Sequence, residues 1–237
     1  MSKANSIRPY CKIKEYRINC TKCNSPNTIR KGLRNNKQRF YCKDCQRSFQ
    51  SDYTYQSYKT EINTLIVSLL KEGCGIRGIS RVLKISKNTV LSRMLKISSQ
   101  IKIPYFNRFG CKFEVDEMWT YIGRNTPKNY IWICYALERE TKAIIDFCVG
   151  SRSIKNIKPI LDKVLLLNPK RIYTDKLPLY PNLIPSETHK RFQYCTNRIE
   201  RMNLNLRTHI KRLSRKTICF SRNKIYLEAH LRIYFWG

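Results

Sequence analysis

Two Cys-x-x-Cys pairs near the N-terminus, Cys20-Thr-Lys-Cys23 and Cys42-Lys-Asp-Cys45, stand eighteen residues apart. A tight turn lets both sulfurs of each pair reach one ion, and the spacing is that of a four-thiolate zinc site on two knuckles. The stretch between them reads as a hairpin, with strands 28–33 and 37–41 turned at Asn35-Asn36. So short a module cannot build a sufficient apolar core, and a metal takes its place. Cys20, Cys23, Cys42 and Cys45 are therefore the expected Zn²⁺ ligands. Their role is structural, because four thiolates leave no open position for chemistry. The competing reading is two unrelated pairs of buried or redox cysteines.

The 237 residues include 47 Lys and Arg against 16 Asp and Glu, a formal charge of +31 spread along the whole chain. Such an excess makes nucleic acid the leading partner, since neutralising phosphates releases counterions. A solubilising or ribosome-associated basic surface is the alternative. Arg30, Lys31, Arg34, Lys37 and Arg39 decorate the hairpin, which suits either a DNA-contacting ribbon or a solvated face. Hydrophobic residues at 42% and aromatics at 11% are enough to bury real cores. The N-terminus lacks the apolar stretch of a secretory signal, and no run approaches a membrane span. The expectation is a cytoplasmic protein without a membrane partner, whose eleven cysteines serve as metal ligands and free thiols.

Ile62, Leu65, Ile66, Leu69 and Leu70 recur at helical spacing, and Gly73-Cys74-Gly75 ends that helix. A second helix is predicted over 76–83 with Ile79, Val82 and Leu83 inward. Ser86 caps a third, in which Val90, Met94 and Ile97 face the core. Three short helices with a tight link between the last two resemble a helix-turn-helix. Lys87, Asn88 and Thr89 at the start of the third helix, with Ser92 and Arg93 one turn on, are types that reach base edges and phosphates. A plain three-helix bundle that packs domains together has the same pattern.

From residue 111 the periodicity changes. Strands are predicted over 112–122, 129–138 and 143–149, antiparallel through the turns at Gly123–Pro127 and Arg139–Thr141. An amphipathic helix follows over 154–167, then a strand over 171–175, then a basic helix over 198–216. Asp116 lies within the first strand and Asp175 at the end of the fourth. Between Arg198 and Lys224, nine Lys or Arg surround one acid, Glu200. Ile199, Met202, Leu206, Ile210 and Leu213 form that helix's apolar stripe, leaving Glu200 on one face with Asn203, Arg207, Lys211 and Arg215. Three carboxylates converging on one sheet edge would hold Mg²⁺ or Mn²⁺. Equally, the acids are solvated or paired with basic neighbours. Glu114 shares the strand face of Asp116, and Glu117 takes the other. Trp119 reads as core in preference to a nucleotide stacker, Cys134 and Cys148 as small buried residues, and His189 as a loop histidine in preference to a DNA contact or a catalytic helper.

These blocks together, with Val115-Asp116-Glu117-Met118-Trp119, Tyr173-Thr174-Asp175 and Arg198–Arg207, resemble insertion-sequence-1-type bacterial transposases from about Cys20 to Ser221. The resemblance implies a ribonuclease-H-like catalytic domain with an Asp-Asp-Glu triad, carried by Asp116, Asp175 and Glu200. It also implies a basic residue two turns after the glutamate, a place that Arg207 fills. The implied reaction is Mg²⁺-dependent hydrolysis at the transposon ends, followed by attack of the freed 3′-hydroxyl on target DNA. Many members assemble the enzyme by frameshifting between two short frames, whereas here both halves lie in one chain.

The expected fold class is thus multidomain α+β: a zinc ribbon over 1–55, a helix-turn-helix over 56–100, a linker over 101–110 and the catalytic domain, with a mixed sheet, over 111–237. The first two recognise terminal inverted repeats in double-stranded DNA, and Lys211 and Arg215 add DNA contacts. Pairing two ends calls for at least a dimer, on the bacterial nucleoid. The rival functions are a non-enzymatic repressor and a structure-selective nuclease.

Overall fold

The computed structural model describes residues 18–50, 59, 61–191, 196–214 and 217–237. Arg215, singled out above, lies outside them. The chain divides into two compact units, Met1–Tyr55 and Gln56–Gly237.

In the first unit, β1 (Thr28–Arg34) and β2 (Lys37–Cys42) form the predicted hairpin, with Arg34 opposite Lys37. Asn35 and Asn36 both take the left-handed conformation that a two-residue hairpin turn demands. A third strand the sequence did not announce, β3 (Ser48–Gln50), pairs antiparallel with β2. Among the described residues the apolar core consists of Cys20, Phe40, Cys42 and Phe49, with the two phenylalanine rings stacked 5.7 Å apart.

The second unit begins with α1 (Ile62–Lys71), α2 (Ile76–Leu83) and α3 (Lys87–Gln100). Ile62, Ile66, Leu70, Ile79, Leu83, Val90 and Met94 make their shared core. Val82, expected inward, is exposed, because the buried stripe of so short a helix is the i, i+4 pair Ile79 and Leu83. Gly73 ends α1 at φ +75°, and a Cβ there would meet the backbone oxygen of His209 at 3.1 Å. Ser86 caps α3, its hydroxyl accepting from the Thr89 amide at 3.0 Å. Ser86→Ala is expected to cost about 1 kcal/mol, read as a lower urea midpoint.

The sheet that follows comprises β4 (Lys112–Tyr121), β5 (Tyr130–Glu138), β6 (Ile144–Gly150), β7 (Arg171–Thr174) and β8 (His189–Lys190). Its order is β6-β5-β4-β7-β8. The first three strands are antiparallel neighbours, and β7 and β8 join β4 in parallel. α4 (Ile154–Leu165) covers one face through Ile157, Ile160, Leu161 and Val164, packed on Phe113, Val115, Cys134 and Ala136. Leu161→Ala is expected to cost about 2–5 kcal/mol by leaving a cavity there.

The other face carries α5 (Asn197–His209) and α6 (Lys224–Trp236). α5 ends at His209, seven residues short of the predicted end at 216. Ile210 leaves the helix in an extended conformation, yet Ile210 and Leu213 still bury themselves under the sheet. The unpredicted α6 serves two cores: Leu227 and Leu231 pack on the sheet, while Ala229 and Ile233 pack on the N-terminal helices. A helix apolar nearly all round lacks the single stripe by which helices are recognised. Within α6, His230 is buried, and burial followed by the Arg212 charge holds its imidazole down to about 4. Unfolded histidine takes up a proton near pH 6.5, so stability is lost as pH falls from about 6.5 to 4, by up to about 3 kcal/mol. His230→Leu is expected to flatten that segment of the urea-midpoint-against-pH curve.

Candidate functional site

Asp116 sits mid-strand on β4, the central strand, opposite Tyr135 of β5. Because β4 and β7 run parallel with Val115 beside Thr174, the next positions, Asp116 and Asp175, fall together just past the end of β7. One carboxylate oxygen from each of Asp116, Glu117 and Asp175 lies within 4.8 Å of the others, a group that could hold a metal ion. The sequence placed Glu117 on the opposite strand face from Asp116, away from the metal. It reaches the group because β7 stops at Thr174, which leaves Asp175 approachable from both faces of the sheet.

Each acid is held by neighbours. Asp116 accepts from the Asn203 amide at 2.8 Å, and Asn203 in turn accepts from the Tyr135 hydroxyl at 2.8 Å. Burial, reinforced by the charges of Glu117 and Asp175, pushes the Asp116 carboxyl up to about 6. Glu117 accepts from the Tyr180 hydroxyl and pairs with Arg152 at 2.9 Å, and burial raises its pKa. Arg152 also reaches Asp175 at 3.3 Å, and the Leu177 amide donates to Asp175 at 2.9 Å. Tyr180, Arg152 and Asn203 lie on a short helical turn, a connection and a separate helix. No spacing rule ties them to Asp116.

Glu200 stands on the first turns of α5, exposed, accepting from the Thr196 hydroxyl at 2.9 Å. It is not part of the carboxylate group, but it lies three residues before Asn203, one turn along the same face. Buried Glu114 fixes that helix on the sheet: its carboxylate accepts from the Ile199 amide at 2.8 Å and pairs with Arg139 at 2.7 Å. An acid at a helix N-terminus satisfies orphan amides and opposes the positive end of the dipole. Arg207 follows on α5, half-buried, and Lys211 lies exposed on the turn after the helix, not on its face. His189 shares a 2.8 Å contact between its Nε2 and the Thr174 hydroxyl beside Asp175.

The four cysteine sulfurs also gather within 4.8 Å of one another, with Cys20–Cys45 and Cys23–Cys42 separations of 3.5 and 3.6 Å. The Cys23 and Lys22 backbone amides point at the Cys20 sulfur and draw its thiol down to about 6. Cys134 and Cys148, predicted as small buried residues, face each other across β5 and β6. Lys87 and Asn88 are exposed at the start of α3, Thr89 lies beside the capping hydroxyl of Ser86, and Arg93 donates to Asn63 of α1 at 3.3 Å.

The IS1 transposase family model matches residues 110–234, which hold all the acids described above. The chain belongs to the IS1 transposase family. Insertion element iso-IS1n protein InsB of Shigella dysenteriae is 34% identical over 120 residues, 51% of this chain and 88% of that protein. Insertion element IS1 protein InsB of Shigella flexneri is 33% identical over the same shares. A simian T-cell lymphotropic virus intasome structure shows a distant likeness, with a TM-score of 0.33 and 9% identity over 72% of this chain and 65% of that one. That likeness is too slight to bear on the fold. In this IS1-family transposase the family match leaves out the cysteine cluster and the first three helices. Among the described residues, no helix is long and apolar enough to cross a membrane.

Proposed function

We propose that the chain binds the terminal inverted repeats of an insertion sequence, cleaves their 3′ ends and joins them to target DNA. The observation that carries this reading is the carboxylate group of Asp116, Glu117 and Asp175 within the family segment of a chain charged +31. Three antiparallel strands joined to two parallel ones, with helices on both faces, support a ribonuclease-H-like domain.

Crowded, partly buried carboxylates are hard oxygen donors whose mutual repulsion a hard divalent cation relieves, so this donor set fits Mg²⁺ or Mn²⁺. Asp116, Asp175 and Glu200 are the proposed ligands, with Glu117 beside them. Ions bound there would activate the attacking oxygen and stabilise the leaving oxygen of a phosphodiester. Asn203, itself held by Tyr135, orients the Asp116 carboxylate, and Glu114 pins the helix that carries Asn203 and Glu200. Arg152 balances the charges of Glu117 and Asp175. Arg207, two turns beyond Glu200, is assigned to a DNA phosphate.

Zn–S bonds of about 2.3 Å in a tetrahedron separate the sulfurs by about 3.8 Å, close to the spacing in the cysteine cluster, which supports structural Zn²⁺. Lys87, Asn88, Thr89 and Arg93 are assigned to reading transposon ends, and Lys211 and Arg215 to the DNA backbone. Joining two ends requires at least a dimer.

The test supplies the full chain with DNA bearing both element ends, a target plasmid and Mg²⁺ or Mn²⁺. Free 3′-hydroxyl ends and joined products are expected. Binding without nicking under either metal would identify a repressor. Cutting of branched DNA or RNA–DNA hybrids without joining would identify a structure-selective nuclease.

A further inference from the structure

Odd-numbered residues of β4 and even-numbered residues of β5 share the sheet face that α4 covers as far as Val115 and Cys134. Beyond that row the same face continues through Glu117, Trp119 and Tyr121 on β4, and Trp132 and Tyr130 on β5. These rings take no part in the core beneath α4. Trp119, predicted to be core, is 43% exposed and Tyr130 is 44% exposed. Their centroids are 5.1 Å apart.

The rings adjoin the carboxylates. Glu117 and Trp119 are two residues apart on one strand face, about 7 Å. Arg152 lies over the Trp132 ring at 4.5 Å while pairing with Glu117 and Asp175. The connection from β4 to β5 carries exposed Arg124 and Lys128 and no acid.

We propose that Trp119 and Tyr130 form a stacking platform for an unpaired DNA base next to the carboxylate group. Exposed flat rings with a basic rim suit a ligand that is at once a polyanion and a set of aromatic faces. An apolar protein partner needs no such rim. Bringing a backbone phosphate against partly buried acids strips a neighbouring base of its stacking, and a ring platform restores it. Base–aromatic stacking contributes in this way for every base, so the platform tolerates any sequence.

The purpose of the platform rests on the DNA-processing reading above, but its test needs neither metal nor cleavage, so each can fail alone. The probe is a duplex with a three-nucleotide 3′ tail containing one 2-aminopurine, compared with the blunt duplex, using the full chain without added Mg²⁺ or Mn²⁺. Wild type and Trp119→Phe are expected to quench the tail fluorescence. Trp119→Leu and Tyr130→Leu, which keep apolar area but lose the flat ring, are expected to lose the quench. Both should bind the tailed duplex about tenfold more weakly, with blunt-duplex binding changed less than twofold. Matched thermal melts confirm that the variants fold. Unchanged quenching and affinity in both leucine variants would overturn the platform. So would loss of a dimer in Trp119→Leu with tailed-duplex affinity intact, which would make the face a self-association surface.

Discussion

Asp116→Asn is expected to lower metal-dependent cleavage and joining by about a hundredfold to a thousandfold, with binding to element ends changed less than twofold. The substitution preserves shape, and the remaining side-chain oxygen can still accept from Asn203. It removes the charge with which a hard cation is held, and loss of one such electrostatic contribution is worth about 3–4 kcal/mol in the transition state. Asp175→Asn, beside it across β4 and β7, should do the same. Glu200→Gln separates the proposed triad from the group that the fold assembles. A loss equal to that of Asp116→Asn means that Glu200 leaves its Thr196 partner to join the other acids when metal and DNA arrive. An inactive Glu117→Gln beside a fully active Glu200→Gln would instead assign the third carboxylate to Glu117. Single-turnover strand-transfer rates with Mg²⁺ check all four variants.

Cys42→Ser, or removal of metal by a chelator, is expected to unfold the N-terminal unit. Among the described residues, its apolar core amounts to two buried cysteines and the pair Phe40 and Phe49. A core of that size does not offset the ordering entropy of its hairpin, so cohesion comes from the thiolates and their ion. Amide exchange should show residues 18–50 losing protection while 61–191 keep theirs. The second unit has its own apolar clusters, which include none of Cys20, Cys23, Cys42 and Cys45. Elemental analysis is expected to find one tightly held zinc per chain.

Much of the second unit was legible from its patterning. α4 buries one face, β4 and β5 read as largely apolar runs between turn residues and are buried on both faces, and Ser86 and Gly73 punctuate the helices where their chemistry says they should. β3 and β8 escaped because two or three residues carry no period. α6 escaped because it is buried on two sides. Trp119 was misjudged for a related reason: its strand alternates correctly, but no spacing rule tells where α4 stops covering the sheet.

The closeness of Asp116 and Asp175 was one of two readings that their strand positions left open, and the parallel register of β4 and β7 produces it. The contributions of Glu117, Arg152, Tyr180 and Asn203 arise where separate elements meet. Glu114 looked like a second acid on the metal face, and the structure makes it the anchor of α5.

The most direct test of the carboxylate site is a calorimetric titration of the zinc-loaded full chain with Mn²⁺, without DNA. Binding in the wild type that disappears in Asp116→Asn and in Asp175→Asn, while the urea midpoint stays put, is the predicted result. Mn²⁺ binding of unchanged stoichiometry and affinity in both variants would contradict the account.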